Sequence, residues 1–161
     1  MNEYKYLGII LDSKLTFNQH TSSTQAKCQQ RLYVIRRLKS FHLHPKYLLL
    51  LYRSIIESLL TYCNICVFPL LSLSNRNKLI KFTHTASKVI GLPTPSLPLL
   101  TERACLRKAW AIERDLDHPL SQHFETLPSG RRFRSIKCNT NRLKHSFIPH
   151  AITLLNKQPT T

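Results

Sequence analysis

Only three glycines, Gly8, Gly91 and Gly130, occur in 161 residues. Glycine-rich phosphate loops and dinucleotide fingerprints need several at fixed spacing, so neither is encoded. Acids are scarce too: Glu3, Asp12, Glu57, Glu102, Glu113, Asp115, Asp117 and Glu125 are all there are. No two aspartates are adjacent, whereas two-metal nucleotidyl transfer needs clustered carboxylates holding ions ~3.5–4 Å apart. No His-x-Asp pair occurs to begin an iron facial triad. The Gly-x-Ser-x-Gly elbow of serine hydrolases is missing as well. The one acidic cluster, Glu113, Asp115 and Asp117, reads as a helix-surface ion network with Arg114, because residues two apart on a helix face different ways. No catalytic residue and no cofactor is expected.

The five cysteines, Cys28, Cys63, Cys66, Cys105 and Cys138, form an odd set with no signal peptide. That composition implies no disulfide framework and a reduced nuclear or cytoplasmic compartment. Cys63 and Cys66 have the spacing of a redox or zinc pair, but there is no second pair, and both are expected to pack as small hydrophobes. Cys138, His145 and His150 form a looser trio without a fourth ligand. Long apolar runs are also lacking: the stretches around Leu48–Leu51 and Ile65–Leu71 are interrupted by Arg53, Glu57, Asn64 and Pro69, short of the ~20 residues that span a bilayer. No membrane partner is expected.

What is abundant is positive charge. Twenty-four Lys and Arg give a net charge of +16 and a pI near 10.1. Between Asp12 and Glu57 there is no acid, only Lys14, Lys27, Arg31, Arg36, Arg37, Lys39, Lys46 and Arg53. After Glu125 there is again none, while Arg131, Arg132, Arg134, Lys137, Arg142, Lys144 and Lys157 follow. Two acid-free intervals flanking a more acidic middle favour phosphate contact, with counterion release as the driving term. The plainer readings are a solvated basic surface or a nuclear address at Gly130-Arg131-Arg132-Phe133-Arg134.

With 42% hydrophobic residues the chain can bury a core. The pattern predicts a mostly α fold of α+β type: an N-terminal β-hairpin, a helical bundle, and a basic, partly irregular C-terminal tail. Tyr6 to Leu11 reads as one strand with a bulge or a close backbone approach at Gly8, Asp12-Ser13-Lys14 as the turn, and Leu15 to Phe17 as the returning strand. A first helix capped by Asn18 or Thr21 runs to about Lys39, with Cys28, Leu32, Ile35 and Leu38 on one face. Pro45 opens a second, nearly all-apolar helix through Cys63. A third starts at Ser72 or Ser74 and stops at Gly91. Leu92 to Leu99, with Pro93, Pro95 and Pro98, reads as a stiff connector that divides two lobes. A fourth helix occupies about Leu100 to Leu116, and short helical pieces broken at Pro149 follow Asn141. The resulting segments are 1–20, 21–91, 92–99, 100–127 and 128–161.

The block Tyr6-Leu7-Gly8, Leu11-Asp12, Leu15, Phe17 and His20 resembles a segment of reverse transcriptases from LINE-type (non-LTR) retrotransposons, where it lies just past the catalytic palm. The resemblance implies a C-terminal, thumb and post-palm fragment: residues 1–20 as a primer-grip-like hairpin, 21–91 as thumb-like helices, 131–155 as the family's basic tail. It also implies that the polymerising residues belong upstream, in a palm domain that would be a partner. RNA or DNA, as an RNA:DNA duplex, is the implied ligand. The motif residues are Tyr6, Leu7, Gly8 and Asp12. The residues assigned to phosphate contact are Lys27, Arg31, Arg36, Arg37, Arg131, Arg132, Arg134, Arg142 and Lys144, with Tyr33 or Phe133 available for stacking.

Two alternatives stand beside this reading of a non-catalytic nucleic-acid-binding remnant. One is a helical scaffold or unproductive gene fragment with no retained function. The other follows from a second resemblance, since similar fragments are grouped with the N-terminal domain of an AlkB-type alkylation-repair homologue. That label implies dioxygenase or methyltransferase chemistry, for which the sequence offers neither iron triad nor glycine-rich loop.

Overall fold

The computed structural model describes residues 3–158. The outermost residues of the 1–20 and 128–161 segments, 1–2 and 159–161, lie outside the described part. The architecture is the mostly helical one expected, with a small N-terminal β-hairpin. The chain divides into two compact units, residues 1–100 and 101–161.

In the first unit, β1 (Glu3–Tyr6) pairs antiparallel with β2 (Ile9–Asp12), Tyr6 opposite Ile9 and Glu3 opposite Asp12. The hairpin reversal is therefore at Leu7-Gly8; Asp12-Ser13-Lys14 does turn, the Leu15 amide donating to the Asp12 carbonyl at 2.9 Å, but it leads into a helix and not into a returning strand. Both turn residues have positive φ, 44° at Leu7 and 85° at Gly8, the geometry that matches strand twist in a two-residue hairpin. Gly8 is thus a turn residue and not a bulge. Leu15 to Phe17 forms no strand because the Asp12 carboxylate gathers it into a helix entry. It accepts from the Lys14, Thr16 and Phe17 amides at 3.0, 3.0 and 2.8 Å and from the Thr16 hydroxyl at 3.0 Å.

Helix α1 (Asn18–Ser40) follows, and Thr21, Thr24, Cys28, Leu32 and Ile35 bury one face at spacings of three and four. Thr21 is not its cap; the Thr21 hydroxyl donates to the Phe17 carbonyl at 2.8 Å inside the core. Helix α2 (Pro45–Tyr52) has Pro45 in its first turn, where the missing N–H costs nothing. It passes into a π-turn (Arg53–Glu57) and then α3 (Ser58–Thr61). Leu48, Tyr52, Ile56 and Leu60 from this run lie in the core with α1.

Tyr62 is extended and Cys63 left-handed, with φ 48°, before the short α4 (Asn64–Val67). Taken together across this turn, the two apolar stretches make a run, Pro45–Leu70, of 26 residues that by length and composition alone could cross a membrane. This corrects, on length and composition, the reading that they fall short: Arg53 and Glu57 do not stop the helix, which ends at Thr61 before the turn at Tyr62-Cys63. The Cys63–Cys66 pair is corrected too: Cys63 is half-buried at the chain reversal and Cys66 is exposed, so they are not a packed core pair.

Helix α5 (Leu73–Ile90) begins at Ser72, whose hydroxyl accepts from the Asn75 amide at 3.3 Å, and ends at Gly91 with φ 81°. Its Leu79, Phe82, Ala86 and Ile90 complete the core of the first unit.

Helix α6 (Leu97–Glu113) starts three residues before the expected position. Pro98 belongs to its first turn, so the connector ends at Ser96. Asp115 and Asp117 fall beyond its end in a turn, and Arg114 lies over the Trp110 ring at 5.9 Å. They form no helix-surface network.

In the second unit a β-bridge joins Thr126 to Phe133. Two short helices close it, α7 (Asn141–His145) and α8 (Phe147–Leu155). The break between them is at Ser146 and not at Pro149, which sits in the first turn of α8.

Candidate nucleic-acid interface

The amphipathic pattern of α1 decides where its cations point. Burial of Cys28, Leu32 and Ile35 turns Tyr33, Arg36 and Arg37 outward, and all three are exposed. Lys27 is exposed along the same helix. Arg37 and Lys39 lie in the last turn, where positive charge also complements the helix dipole. Arg31 is different: it is half-buried, and its guanidinium donates to the Ile55 carbonyl within the π-turn. That bond ties α1 to the next helix and commits part of the Arg31 guanidinium to the fold.

The corner between α1 and α2 extends the basic face. The Phe41 amide donates to the Leu38 carbonyl at 3.2 Å and the His42 amide to the Lys39 carbonyl at 2.9 Å, closing the helix end. His42 takes φ 59°, and the His44 ring accepts from the Lys46 amide at 3.3 Å to start α2. These contacts hold two aromatic rings outside the core, each beside a cation. The Arg37 guanidinium lies 5.8 Å from the Phe41 ring centre and the Lys46 ammonium 4.9 Å from that of Tyr47.

In the second unit, Arg131, Arg132 and Arg134 are exposed on a tight reversal at Pro128-Ser129-Gly130. The Leu127 amide donates to the Arg132 carbonyl at 2.8 Å and the Arg134 amide to the Glu125 carbonyl at 2.7 Å. Arg134 also pairs with Glu125 at 3.6 Å, with both side chains 65% exposed, a geometry worth little in water. Phe133, in contrast, is only 8% exposed and meets Trp110 and Phe124 edge-on. It is a core residue and unavailable for stacking. Arg142 is exposed on α7, and Lys144 lines a 260 Å³ cavity with Cys138, Pro149 and Ile152.

Of the motif residues, Tyr6 is exposed, and Leu7 and Gly8 form the hairpin turn. The Tyr62 hydroxyl donates to the Leu7 carbonyl at 2.5 Å, and a Cβ on Gly8 would come within 3.7 Å of the Tyr62 ring. Asp12 is held below the usual carboxylate range mainly by the Thr16 amide, with further bonds from Phe17, the Thr16 hydroxyl and Lys14 outweighing desolvation. These residues shape the entry to α1. Among the described residues, no group of three His, Cys, Asp or Glu is placed to hold a metal ion, and Cys138, His145 and His150 are not brought together into one.

Sequence reading missed the aromatic corner. Phe41 and Tyr47 sit outside the helical core periodicity, and that signal, beside an unbroken series of cations, is what could have found them.

A family model described as the N-terminal region of alkylated DNA repair protein alkB homolog 8 matches residues 17–58. The matched span runs from the entry of α1 through the π-turn and so includes the basic corner. No curated protein and no solved structure gives a match.

Proposed function

We propose that this chain is a non-catalytic nucleic-acid-binding domain, descended from the post-palm region of a LINE-type reverse transcriptase, that holds phosphates through exposed cations. The observation that carries this reading is the outward placement of Arg36 and Arg37 on α1, within an interval that holds no carboxylate from Ser13 to Ile56. With no neighbouring acid to pair with, these charges attract polyanions. The descent rests on the Tyr6-Leu7-Gly8 and Asp12 block, and binding without catalysis on the sequence's lack of clustered carboxylates.

The match over residues 17–58 favours a second reading, in which the same helices form an N-terminal-type module of an alkylation-repair homologue. Both readings make α1 and its corner a surface turned toward nucleic acid. They differ in what accompanies it: a polymerase palm in the first, repair chemistry in the second.

Binding to an RNA:DNA duplex, titrated at increasing salt, tests the first reading. The association constant is expected to fall with a log–log slope of roughly −0.7 to −0.9 per phosphate neutralised. The R36E/R37E variant should lose about tenfold or more in affinity with an unchanged circular-dichroism spectrum. Salt-independent binding, or an indifferent double variant, overturns it. Turnover of alkylated nucleic acid that requires iron and 2-oxoglutarate would establish the second reading as an enzyme.

A further inference from the structure

Three aromatic side chains of α1 and its corner lie outside the hydrophobic core. Tyr33 is 62% exposed, Phe41 70% and Tyr47 51%. An exposed aromatic ring forgoes the large hydrophobic gain of burial, and here three lie along one helix and its corner. Phe41 and Tyr47 already carry a cation beside the ring, Arg37 and Lys46 respectively, while half or more of each residue stays open to solvent. Tyr33 stands one turn before Arg37, on the same outer ridge of α1, since residues four apart share a face. The order along the chain is ring, cation, ring, cation, ring.

A duplex offers such a surface only phosphates, because its bases are stacked on each other and their faces are closed. A single strand offers both parts: phosphates for Arg36, Arg37 and Lys46, and base faces for the rings. We propose that Tyr33, Phe41 and Tyr47 form a base-stacking platform that makes the α1–α2 corner a site for single-stranded RNA or DNA. This rests on the nucleic-acid-binding reading above and narrows its substrate class. Stacking accepts every base, so the platform selects strandedness and not sequence.

The test compares an unlabelled 12-nucleotide single strand with a blunt duplex of the same length, each competing for the full chain against a fluorescent single strand at fixed salt. The single strand is expected to compete at least about tenfold better. F41A/Y47A should lose about tenfold or more for the single strand and change duplex affinity by less than twofold. R36E/R37E should weaken both. Exposed rings can be removed without loss of core, so thermal melts of F41A/Y47A should match the parent; F41L/Y47L, which keeps apolar bulk without an aromatic face, should bind the single strand as poorly. Equal affinity for both forms, or full single-strand binding by F41A/Y47A, overturns the platform while leaving phosphate binding standing. No binding to either form overturns the underlying reading as well. Equal competition by polyglutamate would make the corner a general polyanion surface and also overturn the platform.

Discussion

The carboxamide of Asn156 bridges the backbone of Phe133 in both directions. Its Oδ1 accepts from the Phe133 amide at 2.8 Å, and its Nδ2 donates to the Phe133 carbonyl at 3.0 Å. One side chain thus supplies the donor and acceptor that a neighbouring strand would otherwise present. It fixes Phe133 between Trp110 and Phe124, on the reversal that exposes Arg131 and Arg132.

Asn156→Ala should therefore loosen the second unit. Each bond to a partly buried backbone group is worth about 1 kcal/mol, and the orphaned groups add to the loss, so destabilisation of about 1–3 kcal/mol is expected in urea unfolding. Asn156→Asp can still accept from the amide but leaves the carbonyl facing a carboxylate, and should do no better. An Asn156→Ala midpoint equal to that of the parent would show the bridge to be idle.

Arg31 and Arg36 should separate cleanly. Arg31→Ala removes the guanidinium from the Ile55 carbonyl; hydrogen bonds of charged groups are worth about 1.5–3 kcal/mol, and a loss in that range is expected. Lysine keeps the charge but ends in a shorter side chain with its donor at a different position, so Arg31→Lys should restore little. Arg36→Ala, on the exposed face, should leave stability within about 0.5 kcal/mol and lower nucleic-acid affinity. The measurement is a pair of melts beside a pair of titrations; a stability loss at Arg36 with none at Arg31 would reverse the assignment.

Acid should release the hairpin-to-helix junction first. The folded pKa of Asp12 is depressed from 3.8 by the Thr16 amide before all else. A depressed carboxylate contributes stability that is present above the unfolded pKa and is lost as pH falls through the folded value. The Lys14, Thr16 and Phe17 amides are therefore expected to keep their hydrogen-exchange protection down to about pH 4 and lose it below. In Asp12→Asn that acid-dependent step should disappear, and its persistence would assign the step elsewhere.

Thiol labelling should sort the cysteines. Cys28 is fully buried, and burial pushes its thiol up to about 11, only partly countered by Arg31. At pH 8 roughly one molecule in a thousand carries that thiolate, and the thiolate is the nucleophile. Cys105 is also buried, while Cys66 is exposed. Mass spectrometry after a short exposure to iodoacetamide should find Cys66 modified and Cys28 and Cys105 spared until denaturant is added.

The parts of the fold legible in sequence are those set by local chemistry. Pro45 at a helix start, Ser72 as a cap, Gly91 as a stop and the three- and four-residue spacing of Cys28, Leu32 and Ile35 each state their own role. The hairpin turn is not legible because a leucine seldom takes the positive φ that Leu7 has, while Asp12-Ser13-Lys14 carries the stronger turn composition. Pro98 and Pro149 read as breaks, yet the first turn of a helix accepts proline. At the candidate site, the outward set of Arg36 and Arg37 follows from helix period alone. The tie between Arg31 and Ile55 spans 24 residues and runs through a π-turn with no sequence signature. Phe133 sits in a basic run whose composition says nothing of Trp110, which it meets from across the second unit.

The bond from Tyr62 to the Leu7 carbonyl joins residues 55 positions apart. Two short strands are marginal on their own in water, so the hairpin cannot borrow this support until α3 and the reversal after it have formed. The hairpin, Glu3–Asp12, is therefore expected to settle only once those helices are in place. The segment that carries Tyr6, Leu7 and Gly8 is held in place by the helices behind it.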